Sequence, residues 1–241
     1  MPRRPRRPAD NAIYHVLNRG NLRMRLFHKE GDFAAFVAQL EEARRRFGVR
    51  ILGYCLMHNH WHLVLWPQRA EDLSRFMAWL STTHVRRWRA HRGAAAGHLY
   101  QGRFKSFLVQ PDDDSFLIVM CYVEGNAVRA GLVRRGKDWP WSSLAAAPGA
   151  GGARVQLTPW PVDRPRDWAR RVERSLDKKT LARLQTSLSR GRPFGDDAWV
   201  VRTVARLGLE HTIRDPWRPR KSPLPKPSPP KKRPEKPKKQ G

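Results

Sequence analysis

The stretch MHNHWHLVLWP, residues 57–67, decides how the rest of this chain is read. Its second half is an apolar run closed by proline, the pattern of a buried strand. Its first half sets His60 and His62 on either side of Trp61. Side chains alternate faces along a strand, so the two imidazoles share one face, roughly 6.8 Å apart, and the indole takes the other. His58 and Asn59 form the tight turn into that strand. Two readings follow for the pair. They hold one divalent ion together, or they sit hydrogen-bonded and inert at a strand mouth.

Working outward, the same alternation predicts strands over residues 12–18, 49–57 and 100–109, with a short extension at 25–28. Residues 32–47 read as an amphipathic helix, with Phe33, Phe36, Val37, Leu40 and Ala43 on one face and Gly48 ending it. Residues 71–91 give a second helix that turns basic at Arg86, Arg87 and Arg89. Residues 112–130 give a third, opened by acids that suit the positive end of its dipole. The order β-α-β-β-α-β plus a helix predicts an α+β fold. It is a ferredoxin-like four-stranded antiparallel sheet with both crossover helices on one face and the other face free for a ligand. Further helices are expected around 168–189 and 197–209. The domain reading is a basic arm at 1–10, a catalytic domain at 11–145, a helical extension at 146–215 and a Pro/Lys-rich tail at 216–241. The arm is expected to be disordered, and so is the tail, whose composition holds too few apolar groups to offset ordering entropy.

Charge identifies the partner class. The chain carries 48 Lys+Arg against 21 Asp+Glu, a formal +27 over 241 residues. Residues 216–241 hold ten Lys/Arg and one Glu, so about +18 remains on the rest and needs its own explanation. Such an excess predicts a polyanion. No apolar run approaches the roughly 20 residues of a membrane span. Two cysteines, Cys55 and Cys121, form no CxxC pair and fit a reducing cytoplasm.

Tyr122 and Asn126 stand one helical turn apart in the 112–130 helix. Two histidines on a sheet face with a tyrosine and a carboxamide on a helix are the parts needed to cut a nucleic-acid strand covalently. Six blocks then carry a resemblance: YHVLNRG (14–20), MHNHWHLV (57–64), HLYQGRFKS (98–106), YVEGNAVRAGLV (122–133), DWPWSS (138–143) and RGRPFGDDAWV (190–200). In this order they resemble the REP-associated tyrosine transposases, a branch of the single-tyrosine HUH transposases. The resemblance implies a metal-dependent, transposase-like nuclease and strand transferase that acts on single-stranded DNA at palindromic hairpins. It implies His60 and His62 as metal ligands, Tyr122 as nucleophile, Asn126 as third ligand or orienting group, and Mg²⁺ or Mn²⁺ as cofactor. It also implies a monomer, with a dimer as the alternative, and a cytoplasmic, nucleoid-associated bacterial protein. Two positions depart from the family pattern: His58 where relatives keep a proline or small residue, and Ala127 where they keep proline. Alanine is the better helix former, so the tyrosine helix is expected to run on smoothly.

Attack by Tyr122 would give a 5′-phosphotyrosine and a free 3′-hydroxyl able to reverse the step, so no ATP is required. For DNA binding the sequence offers Gln101, Arg103 and Lys105 on one face of the fourth strand, and Arg19, Asn21, Arg23 and Arg25 on the loop after the first. A solvated strand face is the plain alternative for the first group. His15 reads as a satisfied core histidine and Glu124 as a surface charge. The competing function is a regulator that binds hairpin or single-stranded DNA without chemistry. A zinc hydrolase built on His58, His60 and His62 would leave the basic charge unexplained.

Overall fold

The structure, a computed structural model, describes residues 9–92, 97–145, 152, 154–174 and 176–214. Most of the basic arm, most of the Gly/Ala linker at 145–153 and the whole 216–241 tail lie outside these residues.

The elements run β1 (Ile13–Arg19), α1 (Glu30–Phe47), β2 (Arg50–Met57), β3 (His60–Trp66), α2 (Ala70–Arg92), β4 (Lys105–Val109), α3 (Asp113–Glu124), α4 (Asn126–Arg129), α5 (Trp168–Glu173), α6 (Lys178–Arg190) and α7 (Asp197–Leu207). The fold is α+β, with one antiparallel sheet ordered β2-β3-β1-β4. The hairpin return of β3 falls between β1 and β2, which is the split βαβ arrangement read from the sequence.

Alternation sorts the sheet into two cores. Tyr14, Val16, Trp61, Leu63 and Leu65 face α1 and α2, with Trp61 fully buried. Ile13, Val64, Phe107 and Val109 face the opposite way. That second face is not free. Phe116, Val119, Met120 and Val123 of α3 cover it, joined by Trp168 and Val172 of α5 and Leu184 of α6. The C-terminal section also caps the edge of β4: Gln110 N–H donates to Phe194 O at 2.9 Å, and Phe194 N–H to Leu108 O at 2.8 Å. An unpaired strand edge is thereby closed. What remains open is a cavity at one end of the sheet.

Four elements differ from expectation, each for a local reason. The extension expected at 25–28 is not a strand: Leu26 and Phe27 N–H both donate to His58 O, so no ladder forms. The strand expected at 100–109 shortens to β4; Gly102, with no side chain to pack, interrupts the alternation, and Tyr100 keeps a single bridge to Gly20. The helix expected at 168–189 divides into α5 and α6, the latter started by Asp177, whose carboxylate accepts from Thr180 N–H at 2.9 Å. The helix expected at 112–130 starts as read, with Asp112 accepting from Ser115 N–H at 2.6 Å, but breaks at Gly125. A Cβ there would stand 2.7 Å from Cys121 O and 2.9 Å from Val172 O. Gly125 leaves helical ψ (φ −81°, ψ 4°) where the backbones of α3 and α5 leave no room for a side chain, so the helix does not run on smoothly through Ala127.

Glu124, read as a surface charge, is 1% exposed. It accepts from Ser143 Oγ at 2.5 Å and Trp168 Nε1 at 2.6 Å, with Arg164 3.9 Å away. Burial pushes its pKa up, and these partners pull it back. Ser143 Oγ also accepts from Tyr54 N–H of β2. One carboxylate therefore ties the tyrosine helix to the sheet, to the 142–144 loop and to α5.

Candidate active site

The cavity has a volume of about 610 Å³ and is built from five segments. β1 supplies Leu17, Asn18 and Arg19, and β3 supplies His60 and His62. The approach to β4 supplies Gln101, Gly102, Arg103 and Lys105. Tyr122 and Asn126 enter from α3 and α4, and Gln185, Leu188 and Ser189 from α6. Eight of the eleven residues singled out in the sequence thus line one space. Asn21, Arg23 and Arg25 do not. They lie on the turn just beyond Arg19, where Arg23 and Arg25 are exposed.

His60 and His62 stand with ring centroids 5.1 Å apart and planes nearly perpendicular. Tyr122 meets His62 edge-on at 5.6 Å, so a single chain brings phenol and imidazoles together. Asn126 hydrogen-bonds His60 across the break at Gly125. His58 does not join them; it packs edge-on against Phe33 and Trp139 on the other side of the sheet, which removes the three-histidine arrangement.

The chemistry of the donors can be tested against a divalent cation. Asn59 Nδ2 donates to Arg23 O at 3.3 Å, so its Oδ1 is the atom that meets His60 Nδ1 at 2.7 Å. An amide oxygen only accepts, hence His60 carries its proton on Nδ1 and keeps Nε2 as the basic nitrogen. His62 Nδ1 lies 2.8 Å from His15 Nε2, and the two share one proton. For His62 to ligate through Nε2, that proton sits on His62 Nδ1. His15 then carries its own on Nδ1, which has no hydrogen-bond partner. Among the described residues no group of three or more His, Cys, Asp or Glu side chains is placed to hold a metal ion. Two imidazoles and the Asn126 amide fit a cation that takes its remaining ligands from water or phosphate, and nitrogen donors suit Mn²⁺ better than Mg²⁺.

Burial sets the protonation states. It pushes His15 down to about 3 and His60 to about 4, the latter with help from Arg19 and against Asn126. His62 falls well below its ordinary value, again by burial and then by the neighbouring His15, His60, Arg129 and Arg19, which oppose a positive charge there. All three are neutral at pH 7, as ligation requires. The same shifts act on folding. Unfolded histidine titrates near 6.5, so below that pH the unfolded chain binds more protons and stability falls as pH drops toward 4. Each of these histidines contributes a slope of up to about 1.4 kcal/mol per pH unit in that window. Urea midpoints at pH 7, 6 and 5 measure it, and an unchanged midpoint would contradict neutral burial.

Burial also raises Tyr122, while Arg129 and Arg19 pull it down. Arg129 is a residue that reading the sequence passed over. Its Cζ lies 4.4 Å over the Tyr122 ring centroid, and its guanidinium donates to the carbonyls of Tyr122 and Cys121. It satisfies helix-end acceptors and holds the ring by a cation–π contact. Its place seven residues after Tyr122, on the same face across two turns, was the signal available. For His15 the signal was weaker. The alternation gave its face, but only the pairing of β1 with β3 set it diagonally beside His62. Gln185, Leu188 and Ser189 carried no signal at all.

The turn after β1 is strained. Leu22 and Arg23 both have positive φ, 50° and 61°. Left-handed conformations in such residues cost roughly 1–3 kcal/mol each and persist only where the surroundings impose them.

Comparison with known proteins adds a family likeness. Residues 9–126 match the family model of IS200-like transposases. No curated protein matches the chain. Among solved structures, the chain is similar to a REP-associated tyrosine transposase bound to a REP hairpin. The two share 17% identity at a TM-score of 0.48, over 59% of this chain and 82% of that one. It is also similar to a Deinococcus radiodurans protein assigned as a transposase, with 16% identity, a TM-score of 0.34, and 54% and 92% coverage. These structural likenesses are distant, and the matched residues 9–126 hold every part of the cavity except the wall from α6. Through those residues, just under half of its length, the chain is similar to the IS200-like transposases.

Proposed function

We propose that this protein is a transposase-like enzyme that binds single-stranded DNA at a palindromic hairpin and cleaves and rejoins it through Tyr122. The observation that carries the reading is the meeting, within one chain, of the Tyr122 ring, the His60–His62 pair and three cations (Arg19, Arg103, Lys105) in one cavity. A phenol beside paired neutral imidazoles and surrounded by cations suits attack on a phosphodiester. The Tyr122 oxygen bonds to phosphorus, the bond to the 3′-oxygen breaks, and that oxygen leaves as a hydroxyl with the proton the phenol gives up. The product is a 5′-phosphotyrosine, and the 3′-hydroxyl can run the step backwards on the same or another strand.

His60 and His62 would hold a divalent cation, Mg²⁺ or Mn²⁺, which would supply Lewis-acid chemistry for the scissile phosphate. Asn126 orients His60 or adds a third ligand. Arg129 fixes the Tyr122 ring and, with Arg19, lowers the phenol pKa; Arg19, which lines the cavity, meets the phosphate. Gln101, Arg103 and Lys105 follow the backbone of the entering strand, while Asn21, Arg23 and Arg25 reach the hairpin outside. The cis arrangement of Tyr122 and its histidines supports a monomer as the working unit. The domain division of the notional catalytic core at 11–145 and extension at 146–215 fits this reading, with α6 lending a wall. Among the described residues no helix is long and apolar enough to cross a membrane; a place beside cytoplasmic DNA suits the charge.

Incubation of the full chain with labelled hairpin DNA bearing single-stranded flanks, in Mn²⁺ or Mg²⁺, is expected to give a denaturation-resistant protein–DNA adduct that EDTA prevents. Tight binding with no adduct in either metal would instead support a non-catalytic regulator.

A further inference from the structure

Leu22 is 92% exposed, far more than any other exposed large hydrophobic residue of the described chain. Met24 N–H donates to Asn21 O at 2.8 Å, closing a four-residue turn around Leu22 and Arg23. Two positive φ angles at the centre make it the kind of turn that Asn and Gly ordinarily fill. Leucine and arginine occupy it against their backbone preference, and at this exposure Leu22 recovers nothing by packing. The conformation is imposed from outside. Gly20 N–H donates to Asn59 O and Asn21 N–H to Leu99 O, both at 2.8 Å, and Asn59 Nδ2 grips Arg23 O. A Cβ on Gly20 would lie 2.3 Å from Met24 O, so only glycine admits the turn.

A rigid turn that projects one apolar tip beside two exposed basic residues, Arg23 and Arg25, matches a nucleic-acid base and its neighbouring phosphates. Arg19, three residues back, already lines the cavity. We propose that Leu22 is a wedge that packs on the terminal base of a DNA stem, at the point where the stem gives way to the single strand that enters the cavity. The inference rests on the DNA-cleaving reading above and adds the place where paired and unpaired DNA are told apart. A fixed apolar tip gains most at a stem end, where one base face is flat and unstacked; along a flexible single strand each base can adjust elsewhere. The turn is also wired to the site: the Asn59 amide that holds Arg23 O holds His60 Nδ1 through its other atom. Docking at Leu22 and the orientation of His60 thus depend on one side chain.

The test uses the full chain and a hairpin with 2-aminopurine at the first unpaired position, beside the same flank without a stem. Wild type is expected to bind the hairpin and change the probe's fluorescence. Leu22→Ser should lose about tenfold in hairpin affinity, the scale of one base contact, leave the probe unchanged and bind the bare flank as wild type does. Leu22→Gly should bind like the Ser variant yet melt at a higher temperature, because glycine releases the strain. Wild-type hairpin affinity and probe response in Leu22→Ser would overturn the wedge and leave the DNA reading standing. An equal loss on hairpin and bare flank would also overturn it. Failure of the wild type to bind either DNA would overturn the DNA reading itself.

Discussion

Tyr122→Phe is expected to abolish the covalent adduct while hairpin affinity stays near that of wild type. The substitution deletes one oxygen and keeps the ring that packs against His62 and lies under Arg129, so the cavity keeps its shape. Removal of a nucleophile leaves only the catalysis owed to binding and charge, and a fall of at least about 10³-fold in single-turnover cleavage follows. The other three tyrosines offer no substitute. Tyr14, Tyr54 and Tyr100 are 4%, 7% and 7% exposed, and burial lifts all three, Tyr54 to about 12. Tyr122 is the half-buried one that borders open space. Labelled DNA on a denaturing gel measures the outcome. An adduct that persists in the Phe variant would remove Tyr122 from the chemistry.

His62→Ala should eliminate measurable Mn²⁺ binding in calorimetry, since it takes one of two imidazoles from a site with no carboxylate to compensate. His15→Ala should do less. It leaves both ligands in place but removes the partner that orients His62, and loss of such a second contact weakens metal affinity by about 10–100-fold. The two variants separate roles that a single activity assay would merge. Equal Mn²⁺ affinity in wild type and His15→Ala would reduce His15 to a core residue. Equal affinity in His62→Ala would move the cation elsewhere.

The histidine pair, the tyrosine and the carboxamide were legible because each sits in a strongly patterned segment. His60 and His62 head an apolar strand whose alternation sets their common face, and Tyr122 lies on a helix whose apolar residues mark its buried side. Arg103, Gln101 and Lys105 were found for a partly wrong reason. They were assigned to one regular strand, yet only Lys105 belongs to β4, and the loop around Gly102 carries the other two to the same cavity. Glu124 shows the opposite error. Nothing in its neighbours along the chain announces that Trp168 and Ser143, 44 and 19 residues away, arrive to satisfy a buried carboxylate.

Taken alone, the order of residues determined where most strands and helices lie, which face of β3 holds the imidazoles, and a basic excess that calls for a polyanion. These are properties of period and charge, written locally. Tertiary structure decided what those faces meet. Strand order β2-β3-β1-β4 set His15 against His62, the break at Gly125 left Asn126 beside His60, α6 walled the cavity, and Asn59 held the turn that exposes Leu22. Each of these depends on contacts between segments distant along the chain, whose closure is a matter of packing and has no periodic trace in the sequence.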